Sequence, residues 1–394
     1  MSTHIRSDFL AFGKPNFGDE EIAAVSKVIR SGWVGMGPEV IAFEQELADF
    51  TGARYVVSVN SCTSALALSL QVLDIGAGNE VVCPSLTWCS TANAALYLGA
   101  TPVFCDVDPR TLSVTPEAVL SKLTPQTRAV MVVHMGGLAV DVTALRKVLP
   151  ERVAIVEDAA HALGARYPDG RPVGSSGNLT CFSFYANKNL STGDGGAVAL
   201  MDEKLAQRIG SLRQHGLSSD AWKRYTHPLT ALTPRIEGLG YKMNFTDLQA
   251  SIGRIQLQRQ AEFFATRLSI ARKYEEGLAV RVGGLERQSG LLDTGHARHL
   301  FQVMLPVERM SMTRDEVLLE LRKRNIGASI HYAPLHVMHF YAPYRTQLPE
   351  TENLGRRILT LPISASMTED DVAYIVDHLS EILNAAITDP VRRR

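Results

Sequence analysis

Residues 153–158 read VAIVED, a run that stays apolar on both faces until it ends in Glu157 and Asp158. Comparable runs occupy residues 54–59, 80–85, 101–107, 128–133 and 181–184. Strands that are apolar on both faces are covered by helices on both sides, as in parallel sheets. Helical patterns separate the runs, and Thr115 followed by Pro116 is a typical helix start. The sequence therefore predicts an α/β domain with a mostly parallel sheet flanked by helices.

The pattern of the chain changes after residue 245. Thr246 and Gln249 form a capping box, and the apolar residues of the helix it opens recur at helical spacing at Leu248, Ile252, Ile255 and Leu257. Further signals are a strand-like run at 299–305, a capping box at Thr313, a strand-like run at 326–332 and a final helix after Thr368. We expect a large domain over residues 1–255, including an N-terminal arm, and a smaller α+β domain over residues 256–394.

The charge and cysteine content of the protein exclude several classes of partner. Its 394 residues include 40 basic and 41 acidic side chains, a formal net charge of −1. This balance favours neither nucleic acid nor an acidic membrane surface, so neither is expected as a partner. The five cysteines are odd in number and lack C-x-x-C spacing, which indicates free thiols in a reducing compartment. No segment matches a secretion signal or a membrane span, and we expect a cytoplasmic protein.

Common nucleotide and metal motifs are absent from the sequence. The segment GDGG at residues 193–196 is not a dinucleotide fingerprint, and neither a P-loop nor an H-E-x-x-H motif occurs. His331, His336 and His339 invite a zinc hypothesis, but no evident carboxylate or thiolate accompanies them. We expect no metal site, and a structural or substrate-positioning role for these histidines.

Polar side chains follow the predicted strands at their carboxyl ends, where a parallel sheet binds its ligands. Ser61, Cys62 and Thr63 open a helix after the first strand, so free N–H groups and hydroxyls there could bind a phosphate. Ser61 or Thr63 could equally serve only as a helix cap. Asp158 and His161 would share a face if the chain turns helically between them. A buried carboxylate needs a partner, although a helix cap plus a core histidine explains the same two residues.

Lys188 lies in the stretch CFSFYANKNLSTGDGGAVAL, residues 181–200, between apolar strands and just before a cluster of glycines. In a cleft, desolvation would lower the pKa of this amine towards a nucleophilic form. A lysine in a loop is more often solvated surface, so this residue alone does not decide the chemistry.

Together, these pieces resemble the DegT/StrS family of pyridoxal-phosphate-dependent nucleotide-sugar aminotransferases, which share the aspartate aminotransferase fold (fold type I). The similarity extends over nearly the whole chain and rests on the number, order and spacing of its segments. Among them are SLTWCSTANAALYLGATPVFCDVD, VEDAAHALGARY, FSFYANKNLSTGDGG, GYKMNFTDLQASIG and HYAPLH. The resemblance implies a seven-stranded, mostly parallel sheet in the large domain and pyridoxal 5'-phosphate as the cofactor.

The resemblance also implies roles for individual residues. Lys188 matches the lysine that binds the cofactor covalently and later moves a proton between substrate and cofactor. Asp158 matches the carboxylate that pairs with the pyridine N–H and maintains the electron sink. Trp88 matches the aromatic residue that stacks on the cofactor ring, with an ordinary core tryptophan as the alternative. His161 falls beside the cofactor, and its role stays open.

By the same resemblance, the phosphate would lie on the amides around Cys62 and Thr63, with the hydroxyl of Ser183 as a further donor. Asn244 matches a residue that reaches the phosphate from the neighbouring subunit, which implies a homodimer with shared active sites. Many relatives have Asn and Arg where this chain has Lys242 and Asn244, although a related subgroup reads as this chain does.

The reaction implied by the resemblance has two steps. L-glutamate leaves its amino group on the cofactor, which then passes it to a keto carbon of a nucleotide-linked sugar for amino-sugar, lipopolysaccharide or glycoside biosynthesis. Lys188 favours transamination, because relatives that dehydrate the sugar have histidine there. The segments SLTWCSTAN and GYKMN favour amination at C4, with a 3-keto sugar or keto-cyclitol as the alternative acceptor. A second alternative is a non-catalytic regulator that binds the cofactor. The segment 216–238 is expected to form a loop over the cleft.

Overall fold

The computed structural model describes residues 5–218, 235–282 and 285–387. Helices α1 (Asp19–Ser31) and α2 (Pro38–Thr51) precede the large sheet. The sheet region then consists of β1 (Tyr55–Val59), α3 (Cys62–Val72), β2 (Glu80–Pro84), α4 (Cys89–Leu96), β3 (Thr101–Cys105), α5 (Pro116–Leu120), β4 (Thr127–Val133), α6 (Val142–Val148), β5 (Ala154–Asp158), β6 (Leu179–Ser183), β7 (Gly196–Leu200) and α7 (Glu203–Leu212). The later elements are α8 (Asp247–Gln258), α9 (Gln260–Arg281), β8 (Glu286–Arg287), β9 (Phe301–Met304), α10 (Arg314–Lys323), α11 (Pro349–Arg357), β10 (Ile358–Leu361) and α12 (Glu369–Ala386).

The large sheet has seven strands in the order β1-β7-β6-β5-β4-β2-β3. The strands from β6 to β3 pair in parallel, whereas β7 runs antiparallel to both of its neighbours, β6 and β1. Each of the six apolar runs identified in the sequence forms one of these strands. The prediction of an α/β fold with a mostly parallel seven-stranded sheet is confirmed.

Alternate residues of the central strands face two separate hydrophobic clusters. On β4, Val130 and Val132 belong to one cluster, whereas Ala129 and Met131 belong to the other. Helix α2 contributes to the first cluster, and helices α3 and α4 contribute to the second. Both faces of the sheet are therefore buried, which leaves the carboxyl ends of the strands as the place where polar side chains from different loops can meet.

The later part of the chain forms a second, smaller sheet. Its three antiparallel strands, in the order β10-β9-β8, pack with α9, α10 and α12 around a third hydrophobic cluster, which Leu10 of the N-terminal arm joins. The strand-like run at 326–332 is not a strand in the structure. Ile326 pairs with Leu10 and Ser329 pairs with Thr360 of β10, so the run is shared between two partners and forms no continuous ladder.

Helix α8 packs against both α1 and α2. The approach is close because Gly253 has no side chain, and a Cβ there would lie 2.8 Å from the ring of Phe43. Leu248 and Ile252, part of the apolar pattern noted in the sequence, stay partly exposed. The predicted domain division after residue 255 falls inside this helix, and the division stays a prediction.

The helix starts indicated by the sequence form as predicted. In each case the side chain of the threonine before the helix accepts a hydrogen bond from a backbone N–H of the first turn, at Thr115, Thr246, Thr313 and Thr368. Within the three described ranges, no helix combines the length and the apolar character needed to cross a bilayer.

Candidate active site

One cavity of about 480 Å³ lies at the carboxyl ends of β1, β5 and β6, a volume typical of small-molecule sites. Seven of the eight residues predicted from the sequence line it, namely Cys62, Thr63, Trp88, Asp158, His161, Ser183 and Lys188. Asn244 does not line it: its side chain donates to the carbonyl of Phe245 at 3.1 Å, and its backbone pairs with Val59. The topology of the sheet thus brings together residues that lie more than a hundred positions apart in the chain.

Asp158 is the last residue of β5, and its carboxylate is buried. Oδ2 accepts a hydrogen bond from the hydroxyl of Thr91 at 2.7 Å, and Oδ1 accepts one from the N–H of Ala160 at 3.2 Å. Burial raises the pKa of Asp158, against these two hydrogen bonds and the positive charge of Lys188. Among the described residues no cationic side chain makes a salt bridge to this carboxylate, and each of its oxygens can accept a second hydrogen bond, for example from a cationic N–H.

Glu157 points away from the cavity into a buried network that the sequence analysis did not identify. Its carboxylate accepts hydrogen bonds from His134 at 2.8 Å, Tyr167 at 2.6 Å, Ser176 at 2.5 Å and Asn178 at 2.8 Å. Burial alone would raise the pKa of Glu157, but the contacts with His134, Ser176 and Tyr167 outweigh it and lower the pKa. The network anchors the end of β5 from beneath the cavity.

Lys188 lies in the connection between β6 and β7, where its N–H donates to the carbonyl of Tyr185 at 2.9 Å. Its side chain ends in the cavity and is not a solvated surface lysine. Burial lowers the pKa of Lys188 to about 8, although Asp158 and Cys62 oppose the shift. About a tenth of the amine is therefore uncharged and nucleophilic at pH 7, far more than for an ordinary lysine.

Two histidines flank this amine. Nε2 of His299 lies 3.4 Å from Nζ of Lys188, and the imidazole rings of His299 and His161 lie 4.6 Å apart, measured between centroids. Nδ1 of His161 accepts a hydrogen bond from the N–H of Gly136 at 3.4 Å, so Nε2 carries the hydrogen and donates to the hydroxyl of Tyr332 at 3.0 Å. Burial and the charge of Lys188 lower the pKa of both histidines well below the usual value. Sequence reasoning missed His299, because no local motif marks it.

The first turn of α3 forms one end of the cavity. Ser61 is the helix cap, since its side chain accepts a hydrogen bond from the N–H of Ser64 at 3.1 Å. The N–H groups of Cys62 and Thr63 that follow have no intrahelical acceptor, and both residues line the cavity. The two interpretations of this segment therefore hold together: the serine caps the helix and the next amides can bind an anion.

Gly196, the first residue of β7, lets the sheet lie directly against this helix start. A Cβ at this position would lie 2.5 Å from the backbone nitrogen of Cys62, a distance that real Cβ atoms essentially never adopt. Any larger residue would push against the turn that presents the free amides. The glycine that the sequence showed only as part of a cluster thus has a specific role in shaping the site.

Trp88 lies at the mouth of the cavity rather than in a core. Its side chain is 61% exposed, its ring lies 6.0 Å from that of Tyr332, and it immediately precedes helix α4. Ser183 ends β6 and lines the cavity, and its hydroxyl accepts a hydrogen bond from the N–H of Tyr185 at 3.4 Å. An exposed aromatic ring at the mouth of a cavity suits a flat ligand.

The remaining expectations concern histidines and a loop. His331 lines the cavity and contacts the hydroxyl of Thr360, whereas His336 is buried between Ser85 and Glu352. In the described part of the chain, no group of three or more His, Cys, Asp or Glu side chains could hold a metal ion. Within the predicted cleft loop 216–238, residues 219–234 lie outside the described residues.

Comparisons with known proteins agree with this geometry. The model of the DegT/DnrJ/EryC1/StrS aminotransferase family matches residues 15–380. The spore coat polysaccharide biosynthesis protein SpsC of Bacillus subtilis is 40% identical over 387 residues, which are 97% of this chain and 99% of SpsC. The solved structure of the aminotransferase TlmJ from Streptoalloteichus hindustanus has a TM-score of 0.87 at 35% identity and covers 95% of this chain and 99% of TlmJ.

A further solved structure is that of Spr1654 from Streptococcus pneumoniae, a candidate sugar aminotransferase. In its PMP form it has a TM-score of 0.88 at 28% identity and covers 95% of this chain and 99% of Spr1654, and it is also solved in a PLP form. The protein is therefore an aminotransferase, and the cavity is its candidate active site. The chain belongs to the DegT/DnrJ/EryC1/StrS aminotransferase family, and the resemblance seen in the sequence is confirmed.

Proposed function

We propose that the protein is a sugar aminotransferase that uses pyridoxal 5'-phosphate to move the amino group of L-glutamate onto C4 of a nucleotide-linked keto sugar. One observation carries the proposal: Lys188 and Asp158 face the same cavity. The first is an amine with a pKa of about 8, and the second is a buried carboxylate that can accept from a cationic N–H. An amine that condenses with an aldehyde and an acid that keeps a pyridine ring protonated are the two groups this cofactor needs.

The other lining residues fit the remaining parts of the cofactor. The free amides of Cys62 and Thr63 at the start of α3 suit its phosphate, with Ser183 as a further donor. The exposed ring of Trp88 suits the face of its pyridine ring. Gly196 supports the fit, because a side chain at this position would displace the amides.

Bound pyridoxal phosphate would supply an electron sink for the carbanion that forms on the substrate. The residues of this chain would supply the rest. Asp158 holds the proton on the ring nitrogen, and Trp88 covers the ring and excludes water from one face. Lys188 moves the proton at the reacting carbon, for which an amine that titrates near neutral pH is well suited.

The acceptor is assigned by chemical class. Similarity to a polysaccharide biosynthesis protein, SpsC, and to a candidate sugar aminotransferase, Spr1654, supports a sugar substrate. The segments SLTWCSTAN and GYKMN favour a 4-keto sugar linked to a nucleotide diphosphate, and the alternative acceptors are a 3-keto sugar and a keto-cyclitol.

We place the enzyme in the cytoplasm as a homodimer with shared active sites. The position of Asn244 outside the cavity of its own chain supports this, because its amide has a second N–H, beyond the one that donates to Phe245, that could serve the cavity of a partner. Partly exposed apolar residues on α8 and strongly exposed ones on α1, such as Ile22 at 65%, offer an apolar surface on two helices that pack together. The five cysteines are free thiols, as a reducing compartment requires.

The experiment that tests the proposal is the visible spectrum of the cofactor-loaded protein before and after addition of L-glutamate. On addition of glutamate, we expect the absorbance of the bound aldehyde to disappear as the amine form accumulates. Borohydride reduction before glutamate is added should leave a cofactor-derived mass on the peptide that contains Lys188. Lys188→Ala should show neither, whereas Lys273→Ala, which changes a half-exposed lysine of α9, should behave as wild type.

A second stage offers the aminated enzyme three acceptors: a nucleotide-linked 4-keto sugar, its 3-keto isomer and a keto-cyclitol. We expect the 4-keto sugar to restore the original spectrum fastest. Faster reaction of either other acceptor would replace the C4 assignment. No change with glutamate would favour the regulator, and no adduct on Lys188 would remove the proposed enzyme altogether.

A further inference from the structure

The side chain of Asn189 fixes the hydrogen-bonding state of His299. Its Nδ2 donates to the carbonyl of Ala297 at 2.9 Å, so its oxygen is the atom that faces the imidazole. This oxygen lies 3.1 Å from Nδ1 of His299. Because a carboxamide oxygen can only accept, Nδ1 carries the hydrogen and Nε2 holds a lone pair.

That lone pair faces Lys188. Nε2 of His299 and Nζ of Lys188 are 3.4 Å apart, within reach of a hydrogen bond. An imidazole in this state can accept from the amine but cannot donate to it. One N–H of Lys188 is therefore directed to His299, and the remaining bonding positions of the nitrogen are left for the cavity.

The surroundings keep His299 uncharged. It is 2% exposed, and burial together with the positive charges of Lys188 and Arg267 lowers its pKa well below the usual value. Arg267 on α9 is also buried and donates only to backbone carbonyls, those of Arg298 and Ile363. The imidazole thus remains an acceptor across the pH range in which the enzyme would work.

We propose that His299 is a positioning residue for Lys188: its Nε2 accepts one N–H of the amine, orients the nitrogen towards the cavity and helps it to hold a proton. The proposal rests on the proposed function in that Lys188 is the reacting amine. Asp158 and Cys62 also favour the charged form of this amine. His161 and His331 line the same cavity, and the charge of Lys188 helps to keep both of them neutral. Removing the acceptor at His299 should therefore make Lys188 lose its proton at a lower pH.

The test measures the reactivity of Lys188 in the full-length protein after the cofactor has been stripped. Wild type, His299→Leu and His299→Gln are labelled with trace acetic anhydride over a pH series, and modification of Lys188 is followed by peptide mass spectrometry, with Lys273 as the internal reference. Glutamine keeps an acceptor at a position equivalent to Nε2, whereas leucine does not. His336→Leu, a change at a buried histidine outside the cavity, is the matched control.

We expect the pH of half-maximal reactivity to fall by about one unit in His299→Leu, which corresponds to about tenfold faster labelling at acidic pH. His299→Gln and His336→Leu should stay close to wild type. An unchanged value in His299→Leu, or a His299→Gln variant that shifts as far as His299→Leu, would overturn the assignment.

Asn189→Leu provides a second route that keeps the imidazole. Without the acceptor for Nδ1–H, the ring can present either nitrogen to Lys188, so a shift in the same direction and smaller than that of His299→Leu is expected. Should His299→Leu fail to fold by circular dichroism, an unshifted Asn189→Leu overturns the proposal. Borohydride trapping on wild type runs in parallel: successful trapping without any shift defeats only the role of His299, whereas failed trapping defeats the proposed function.

Discussion

The hydroxyl of Thr91 donates a 2.7 Å hydrogen bond to Oδ2 of Asp158 and so ties helix α4 to the end of β5. Helix α4 begins directly after Trp88. The hydrogen bond of Thr91 therefore fixes the helix that carries Trp88, at the mouth of the cavity, relative to Asp158 in its wall. The hydroxyls of Thr91 and Thr87 lie 2.9 Å apart, so Thr87 joins the same hydrogen-bonded chain.

Thr91→Val should weaken cofactor binding, although valine has nearly the same shape as threonine. The substitution removes a hydrogen bond to a buried carboxylate, which is worth about 1.5 to 3 kcal/mol, so the Kd for pyridoxal phosphate should rise about ten- to a hundredfold. Spectroscopic titration of the stripped protein measures it. Thr91→Ser keeps the donor and should bind nearly as wild type, and equal binding by the valine variant would show that the contact is unimportant for Asp158.

Gly196→Ala tests the close approach of β7 to helix α3. The added methyl group would lie 2.5 Å from the nitrogen of Cys62, so the helix start must move and phosphate binding should fall at least tenfold. Gly210→Ala is the control, because Gly210 lies within α7 with open space around it, and alanine there should stabilise the protein by about 0.5 to 1 kcal/mol. Unchanged affinity for inorganic phosphate and for the cofactor in Gly196→Ala would contradict the assignment of the phosphate site.

Glu157→Gln should destabilise the protein by about 3 kcal/mol at pH 7, because the amide of glutamine brings a donor into a network of donors. The pKa of Glu157 is lowered in the folded state, so its contribution is complete above its unfolded value of about 4.3 and is lost as the pH falls through the folded value. The free energy of unfolding, measured with urea, should therefore be lower in Glu157→Gln than in wild type, and this difference should narrow only in this acidic range.

Glu151→Gln, at an exposed position just before β5, is the control for this measurement and should unfold as wild type at every pH. If the difference in the free energy of unfolding stays the same throughout the acidic range, packing rather than the charge of Glu157 stabilises the network. A variant as stable as wild type at pH 7 would contradict the role of the network altogether.

Mixed dimers test the shared active site. Lys188→Ala should be inactive and Asn244→Ala should bind the cofactor weakly, but a hybrid of the two contains one site with both native residues. Unfolding and refolding an equal mixture should therefore recover up to about a quarter of wild-type activity. Activity that never exceeds the average of the separate variants would place Asn244 outside the site of the partner.

The sheet was predictable because its signals are local, and the site residues were predictable from strand ends together with the family resemblance. Continuous apolar runs define the strands, and the residues that follow them, such as Asp158 and Ser61, reach the cavity by the rule that parallel strands end at one edge. Thr91 and His299 could not be found in this way. They lie 67 and 111 positions from their partners, Asp158 and Lys188, and nothing in their immediate sequence distinguishes them from other threonines and histidines.

Two further features of the structure, the pairing of residues 326–332 and the position of Glu157, have physical causes that a single sequence does not show. The run at 326–332 has the composition of a strand but divides its pairing between the N-terminal arm and β10, and that choice depends on the packing of distant segments. Glu157 directly precedes Asp158 in the sequence. Because side chains alternate along a strand, it points to the opposite face and becomes part of the support beneath.

The reversed direction of β7 determines where the amine of Lys188 can lie. Ser183 at the end of β6 pairs directly with Gly196 at the start of β7, so the segment between them leaves and re-enters the sheet at one point. If β7 were parallel to β6, the chain would have to cross back to the other end of the strands before β7 began. Lys188 is instead carried on a hairpin-like connection anchored at both ends, which keeps its amine in the cavity.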